Sequence, residues 1–163
     1  MRFRAEHRFR APVGAVADLL VDAAFHRELE LPDVELLDVL LADGDGAAAL
    51  LTLRYEYVGH LDPPAARLLG GRRLTWVQKV TVDRDAGTGR LSFAAEGNED
   101  RLYGTAEFAL RADDEETLWL LEGEVRVRVP LVGGAAERRV LAGMLRRLEI
   151  EAQQMAEELR ARA

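Results

Sequence analysis

The sequence predicts an α+β domain in which one long C-terminal helix covers a large antiparallel sheet. Two changes of rhythm predict it. From Arg2 to Val129 apolar residues mostly recur at every second position, in seven runs separated by turn residues, which is the period of half-buried strands. After Pro130 the rhythm shifts: Leu141, Leu145, Leu148, Ala152, Met155 and Leu159 recur at steps of three and four, the stripe of a helix lying on a core. A third observation fixes the strand direction. Three of the joints are short and rich in Asp, Gly or Glu, as hairpins require.

In chain order, Arg2–Phe9 alternates Phe3, Ala5, His7 and Phe9 against Arg2, Arg4, Glu6 and Arg8, a first strand. Pro12 suits the first turn of a short helix whose stripe is Val13, Val16, Ala17 and Leu20. A second short helix is expected over Asp22–Glu28, ending before Pro32. Val34–Leu41 and Ala48–Val58 form a hairpin around Asp43-Gly44-Asp45-Gly46. Leu74–Asp83 and Arg90–Asn98 form another around Ala86-Gly87-Thr88-Gly89, and Leu102–Arg111 and Thr117–Val129 a third around Asp113-Asp114-Glu115. The last helix is expected over about Gly134–Ala161. One connection is longer than a hairpin needs. Gly59–Arg73 contains Asp62-Pro63-Pro64, then Leu68-Leu69, then Gly70-Gly71, spelling one capped helical turn. It is either a packed crossover or a lid whose leucines close a pocket mouth.

The chain has 163 residues, fitting one domain over 1–163. Its net charge of −7 argues against general nucleic-acid binding and against an anionic membrane surface. No run is long and apolar enough to span a membrane. The charged start, Met1-Arg2-Phe3-Arg4, is unlike a signal peptide, and a cytoplasmic location is the expectation. Cysteine is absent, which excludes disulfides and thiolate chemistry. Lys79 is the only lysine among 22 basic residues, a bias of GC-rich bacterial genomes.

Beyond periodicity, the element order resembles the helix-grip fold of the START and birch-pollen-allergen-like superfamily (SRPBCC), which includes polyketide cyclases and lipid-transport proteins. Several phrases are similar to a bacterial family of unknown function within it: Leu31-Pro32-Asp33-Val34, Leu53-Arg54-Tyr55, Leu74-Thr75-Trp76-Val77-Gln78, Leu102-Tyr103-Gly104, and Val125–Gly134 followed by Ala136-Glu137-Arg138. The resemblance implies a seven-stranded curved antiparallel sheet wrapped around the C-terminal helix, with two short helices after the first strand and a cavity between sheet and helix. It carries over no catalytic residue, since one fold serves carriers, enzymes and interaction modules.

If each strand turns its more apolar face to the helix, the inward set is apolar with a few polar exceptions. The candidates for lining a ligand site are His7, Tyr55, Tyr57, Trp76, Gln78 and Trp119 from the strands and Met144 from the helix. Apolar walls with a few orienting donors and acceptors are the character of a small-molecule site. The plainer reading is a filled core whose polar tips are satisfied by backbone or water. His7 is the best single acid–base candidate on that face, without a local Ser or Asp partner, and a tyrosine is the alternative proton mover. His26 and Glu30 share a helical spacing, but two ligands do not make a metal site, and a solvated ion pair is the simpler expectation. The His60 and Asp62 pair is explained by turn capping. Asp43-Gly44-Asp45-Gly46 lacks the later ligands of a calcium loop, and no nucleotide-binding loop or nucleophile elbow occurs. No catalytic residue, metal or cofactor is therefore assigned. The arginines Arg2, Arg4, Arg8, Arg126 and Arg128 are expected on the outer sheet face, paired across strands with Glu6, Glu122, Glu124 and Glu107 rather than reserved for an acidic partner.

Three functions from different classes stay open at this point. The leading one is a binding protein for a small, largely apolar ligand: a lipid, isoprenoid or aromatic metabolite. The alternatives are a protein-interaction module with a solid core, and an enzyme of the cyclase or dehydratase kind. The ligand's identity and the oligomeric state are not written in the sequence.

Overall fold

The computed structural model describes residues 1–131 and 133–163, and for Leu68 the backbone alone. Seven strands and four helices follow the order β1 (Arg2–Phe9), α1 (Val13–Leu20), α2 (Ala23–Glu28), β2 (Val34–Asp43), β3 (Ala48–Tyr57), α3 (Pro63–Leu68), β4 (Thr75–Asp83), β5 (Thr88–Ala95), β6 (Leu102–Asp113), β7 (Glu116–Val127) and α4 (Gly133–Arg162). The strands form one antiparallel sheet in the order β1-β7-β6-β5-β4-β3-β2. Every consecutive pair from β2 to β7 is a neighbour. β1 joins beside β7 and places the two ends of the strand region side by side.

Local chemistry explains the element ends. Asp22 caps α2 by accepting from the amides of Ala24 and Phe25, and Asp62 caps α3 through the amide of Ala65. Gly70 and Gly71 follow α3 with positive φ, the left-handed conformation that ends a helix without a Cβ clash. The β6–β7 hairpin turns on Asp114, also at positive φ. β2 is an edge strand with register shifts at Leu36/Asp38 and Val39/Leu41. Such bulges break the two-residue rhythm, so Leu37, Leu40 and Leu41 stand exposed.

The register sorts the inner face into rows. One row runs Ala5–Leu121–Phe108–Gly89–Val82–Ala49 and the next but one Val125–Gly104–Phe93–Gln78–Leu53. Glycine in these rows makes room for rings. A Cβ on Gly89 would meet the Phe108 ring, and a Cβ on Gly104 would meet Phe93. Nearest α1 the inner face is sealed, with Phe9, Val82, Trp119 and Leu121 buried. Toward α3 it is not: Trp76, Gln78, Leu91 and Phe93 point inward yet stay half-buried.

The long helix buries Leu141, Leu148, Ala152, Met155 and Leu159 against this face. Its C-terminal half is fixed at two points. The Gln154 amide both donates to the Glu30 carbonyl and accepts from the Glu30 amide, and Arg162 bonds Asp22 at 2.8 Å. Its N-terminal half is tied to the crossover, where Arg139 bonds the Asp62 oxygen not used in capping. No described helix is long and apolar enough to cross a membrane.

On the outer face the expected cross-strand pairing holds in part. Arg4 meets Glu122 directly opposite at 3.2 Å, as Arg90 meets Glu107 at 3.1 Å, whereas Arg126 pairs with Glu124 of its own strand at 3.0 Å, Arg8 reaches Asp113 at 2.8 Å, and Arg128 lies over the Tyr103 ring. An open depression of about 1400 Å³ lies over this face. Its charged walls are met in part by these pairs.

Candidate functional site

The inner face carries polar atoms that the protein itself does not satisfy. Among the described residues, His7 Nε2, Tyr55 Oη, Trp119 Nε1 and Arg147 Nε and Nη2 are buried beneath α4 with no hydrogen-bond partner. Buried polar groups are almost always paired; these atoms fall in two places, His7 with Trp119, whose rings lie 5.5 Å apart, and Tyr55 with Arg147, whose guanidinium carbon lies 4.3 Å from the phenol ring centroid.

Each member is positioned by a packed element. Trp119 is fully buried and held by rings on three sides: Phe108 edge-on at 6.2 Å, Phe9 at 6.3 Å and His7 at 5.5 Å. His7 and Trp119 are register partners on β1 and β7. Across the helix, Tyr55 and Trp76 are register partners on β3 and β4, and their rings stack at 5.7 Å with 24° between planes. Arg147 descends from α4 onto this stack. Its guanidinium carbon lies 4.3 Å from the Tyr55 ring centroid and 6.0 Å from that of Trp76, within cation–π range of both. Gln78 follows in the next row, between Leu53 and Phe93. Met144 is half-buried one turn before Leu148 on α4.

Two acidic side chains shape the electrostatics. Glu151, four residues after Arg147, is only 5% exposed. Glu149 reaches β1, where a carboxylate oxygen lies 3.5 Å from His7 Nδ1. Burial holds the His7 imidazole below its ordinary value, against the pull of Glu149 and Glu151. Burial also pushes the Tyr55 hydroxyl up to about 12, with Arg147 opposing and Glu151 adding to the rise. At neutral pH the floor is therefore an uncharged imidazole, a protonated phenol and an indole N–H. Arg147 and Glu151 stand above it on the helix.

Of the residues singled out from the sequence, the structure brings His7, Tyr55, Trp76, Gln78 and Trp119 onto one face under α4, with Met144 on the helix. Tyr57 sits apart, at the end of β3. Its ring lies where a Cβ on Gly59 would be, and its hydroxyl is 3.5 Å from the His60 carbonyl, so it packs the start of the crossover. Leu69 in the crossover is buried; the side chain of Leu68, its partner in the lid reading, lies outside the described residues. His26 is a correction. It is buried and its Nε2 donates to the Leu20 carbonyl at 3.1 Å, rather than pairing with Glu30 in solvent. The physical reason is that α2 ends at Glu28 and Leu29 is extended, so the helical spacing does not persist to Glu30. Among the described residues no group of three His, Asp or Glu side chains is placed to hold a metal.

Arg147 and Glu151 escaped the sequence reading. Their signal was present: both fall within the stripe of Met144, Leu148 and Met155, at the same steps of three and four. Charged residues on the apolar stripe of a helix are unusual enough to be picked out on that ground alone.

Comparison with known proteins agrees with this architecture. The family described as Protein of unknown function (DUF2505) matches residues 4–159. No curated protein matches the chain by sequence. Among solved structures, TTHA0849 from Thermus thermophilus is 22% identical over 100% of this chain and 99% of its own, with a TM-score of 0.69. Ara h 8.0201 is 11% identical over 99% and 98%, with a TM-score of 0.60. The di-domain ARO/CYC StfQ from the steffimycin biosynthetic pathway is 19% identical over 96% of this chain and 43% of its own, with a TM-score of 0.55. The likeness to these structures is one of fold, the helix grip, and by its sequence the chain belongs to the DUF2505 family.

Proposed function

We propose that this protein binds a small, largely apolar molecule bearing one or two polar groups, held between the sheet and α4 at the end nearest α3. The observation that carries this reading is the pair of side chains at that end with orphan polar atoms, Tyr55 and Arg147. An unmet buried donor or acceptor costs about 1–3 kcal/mol, and a ligand that meets several of them recovers that cost on binding. The half-buried Trp76, Leu91 and Phe93 supply apolar wall on the same side, with the Gln78 amide among them. The fold neighbours support the reading by analogy, one of them being an ARO/CYC protein of a biosynthetic pathway. Binding and carriage are favoured over catalysis, because the carboxylate beside His7, that of Glu149, is 61% exposed at the helix surface.

A ligand that occupies the site stabilises the native state, by about 2.7 kcal/mol when its concentration is a hundredfold above its dissociation constant. Thermal melts against a panel of apolar metabolites test this. Some members are expected to raise the melting temperature, and Gln78→Leu to change which ones do so while the free protein melts much as before. A panel without effect on either protein contradicts the proposal.

A further inference from the structure

We propose that Arg147 is the anchor of a carboxylate, so that the ligand is a flat aromatic or polycyclic monocarboxylic acid. This rests on the reading of the interior as a ligand site and adds the chemical class of what enters it.

Three observations lead there. Among the described residues, every other arginine without a carboxylate partner is exposed to solvent. Arg147 alone is a part-buried guanidinium without one, and a buried charge is costly unless paired. Second, the pairing open to it within the chain is not made. Glu151 stands four residues on, at the spacing of a helical ion pair, yet forms no ion pair with it. Third, the two orphan atoms are Nε and Nη2. These lie on one edge of the guanidinium and present two parallel N–H bonds, the fork that a carboxylate accepts in bidentate fashion.

The surroundings select the rest of the molecule. Stacking on Tyr55 holds the fork in place before any ligand arrives. Trp76, Phe93 and Leu91 offer flat apolar contact at the half-buried end of the sheet. Glu151 sets a limit on charge. A dianion such as a phosphate monoester would find a single guanidinium and meet this carboxylate one turn along α4, whereas a monocarboxylate matches one fork.

The test compares 2-naphthoate with 2-naphthamide, which has the same shape and no charge, by calorimetric titration of the whole protein. The carboxylate is expected to bind about tenfold tighter or more. In Arg147→Gln that preference is expected to fall to about twofold or less, with the amide's affinity kept. Arg147→Lys, which keeps the charge and loses the fork, is expected to fall between. Equal affinity of the parent protein for both probes overturns the anchor and leaves the ligand site standing. Failure of both probes to bind overturns the two together. Should Arg147→Gln not fold, the ratio in the parent and in Arg147→Lys decides.

Discussion

His7 Nδ1 on the first strand lies 3.5 Å from a carboxylate oxygen of Glu149 on the last helix. The pair joins elements at opposite ends of the chain, yet it does not hold the imidazole charged. Burial outweighs the two nearby acids, Glu149 and Glu151, and keeps the His7 value below 6.5. The unfolded chain therefore takes up a proton at higher pH than the native one. Stability from this group is complete above about 6.5, falls as pH drops from there toward the lower native value, and then levels off. Urea melts of the parent and of His7→Gln across this window are expected to converge as the pH falls, because only the parent loses this contribution. A constant gap between them contradicts the assignment.

Leu148 is 8% exposed and sits on the sheet side of α4 between Arg147 and Glu151. Leu148→Ala is expected to cost about 2–5 kcal/mol in a urea melt, and Leu148→Asp to leave the domain unfolded. A Leu148→Asp variant that melts like the parent would mean that α4 docks in another phase.

Gly104 lies under the Phe93 ring, where a Cβ has no room. Gly104→Ala is expected to destabilise by about 1–3 kcal/mol, and to weaken ligand binding by pushing Phe93 out of its row. A neutral effect on both would show that the ring moves freely.

Tyr55 is 1% exposed with its hydroxyl unpaired. Removing an unsatisfied hydroxyl relieves a desolvation cost. Tyr55→Phe is therefore expected to match or exceed the parent's stability without ligand, while losing part of any ligand-induced rise in melting temperature. The chain has three tyrosines, and one phenol is expected to ionise late, at about 12. Tyr55→Phe should remove that late step from the absorbance titration; its persistence would place the buried phenol elsewhere.

Much of this was legible from residue order. The change of period at Pro130, the cap at Asp62 and the glycines after α3 gave elements that end within a few residues of those observed. Alternation placed His7, Tyr55, Trp76, Gln78 and Trp119 on one face because the pleat leaves no choice once one face is apolar. Three things were not legible. Tyr57 follows the same alternation, but it stands at a strand end, where the crossover rather than the helix covers it. The exposed leucines of β2 depend on bulges, which add residues without a marker in the sequence. The Arg147 stack on Tyr55 is set by helix phase and side-chain reach, and these emerge only when α4 is docked.

Whether the interior under α4 takes an apolar molecule is decided most directly by native mass spectrometry of freshly purified protein. A filled site gives a species heavier than the 18.1 kDa chain, carrying a small mass that organic extraction removes, with a fall in melting temperature after extraction. A spectrum of the bare chain alone, with a melting temperature unchanged by extraction, would contradict the proposed binding.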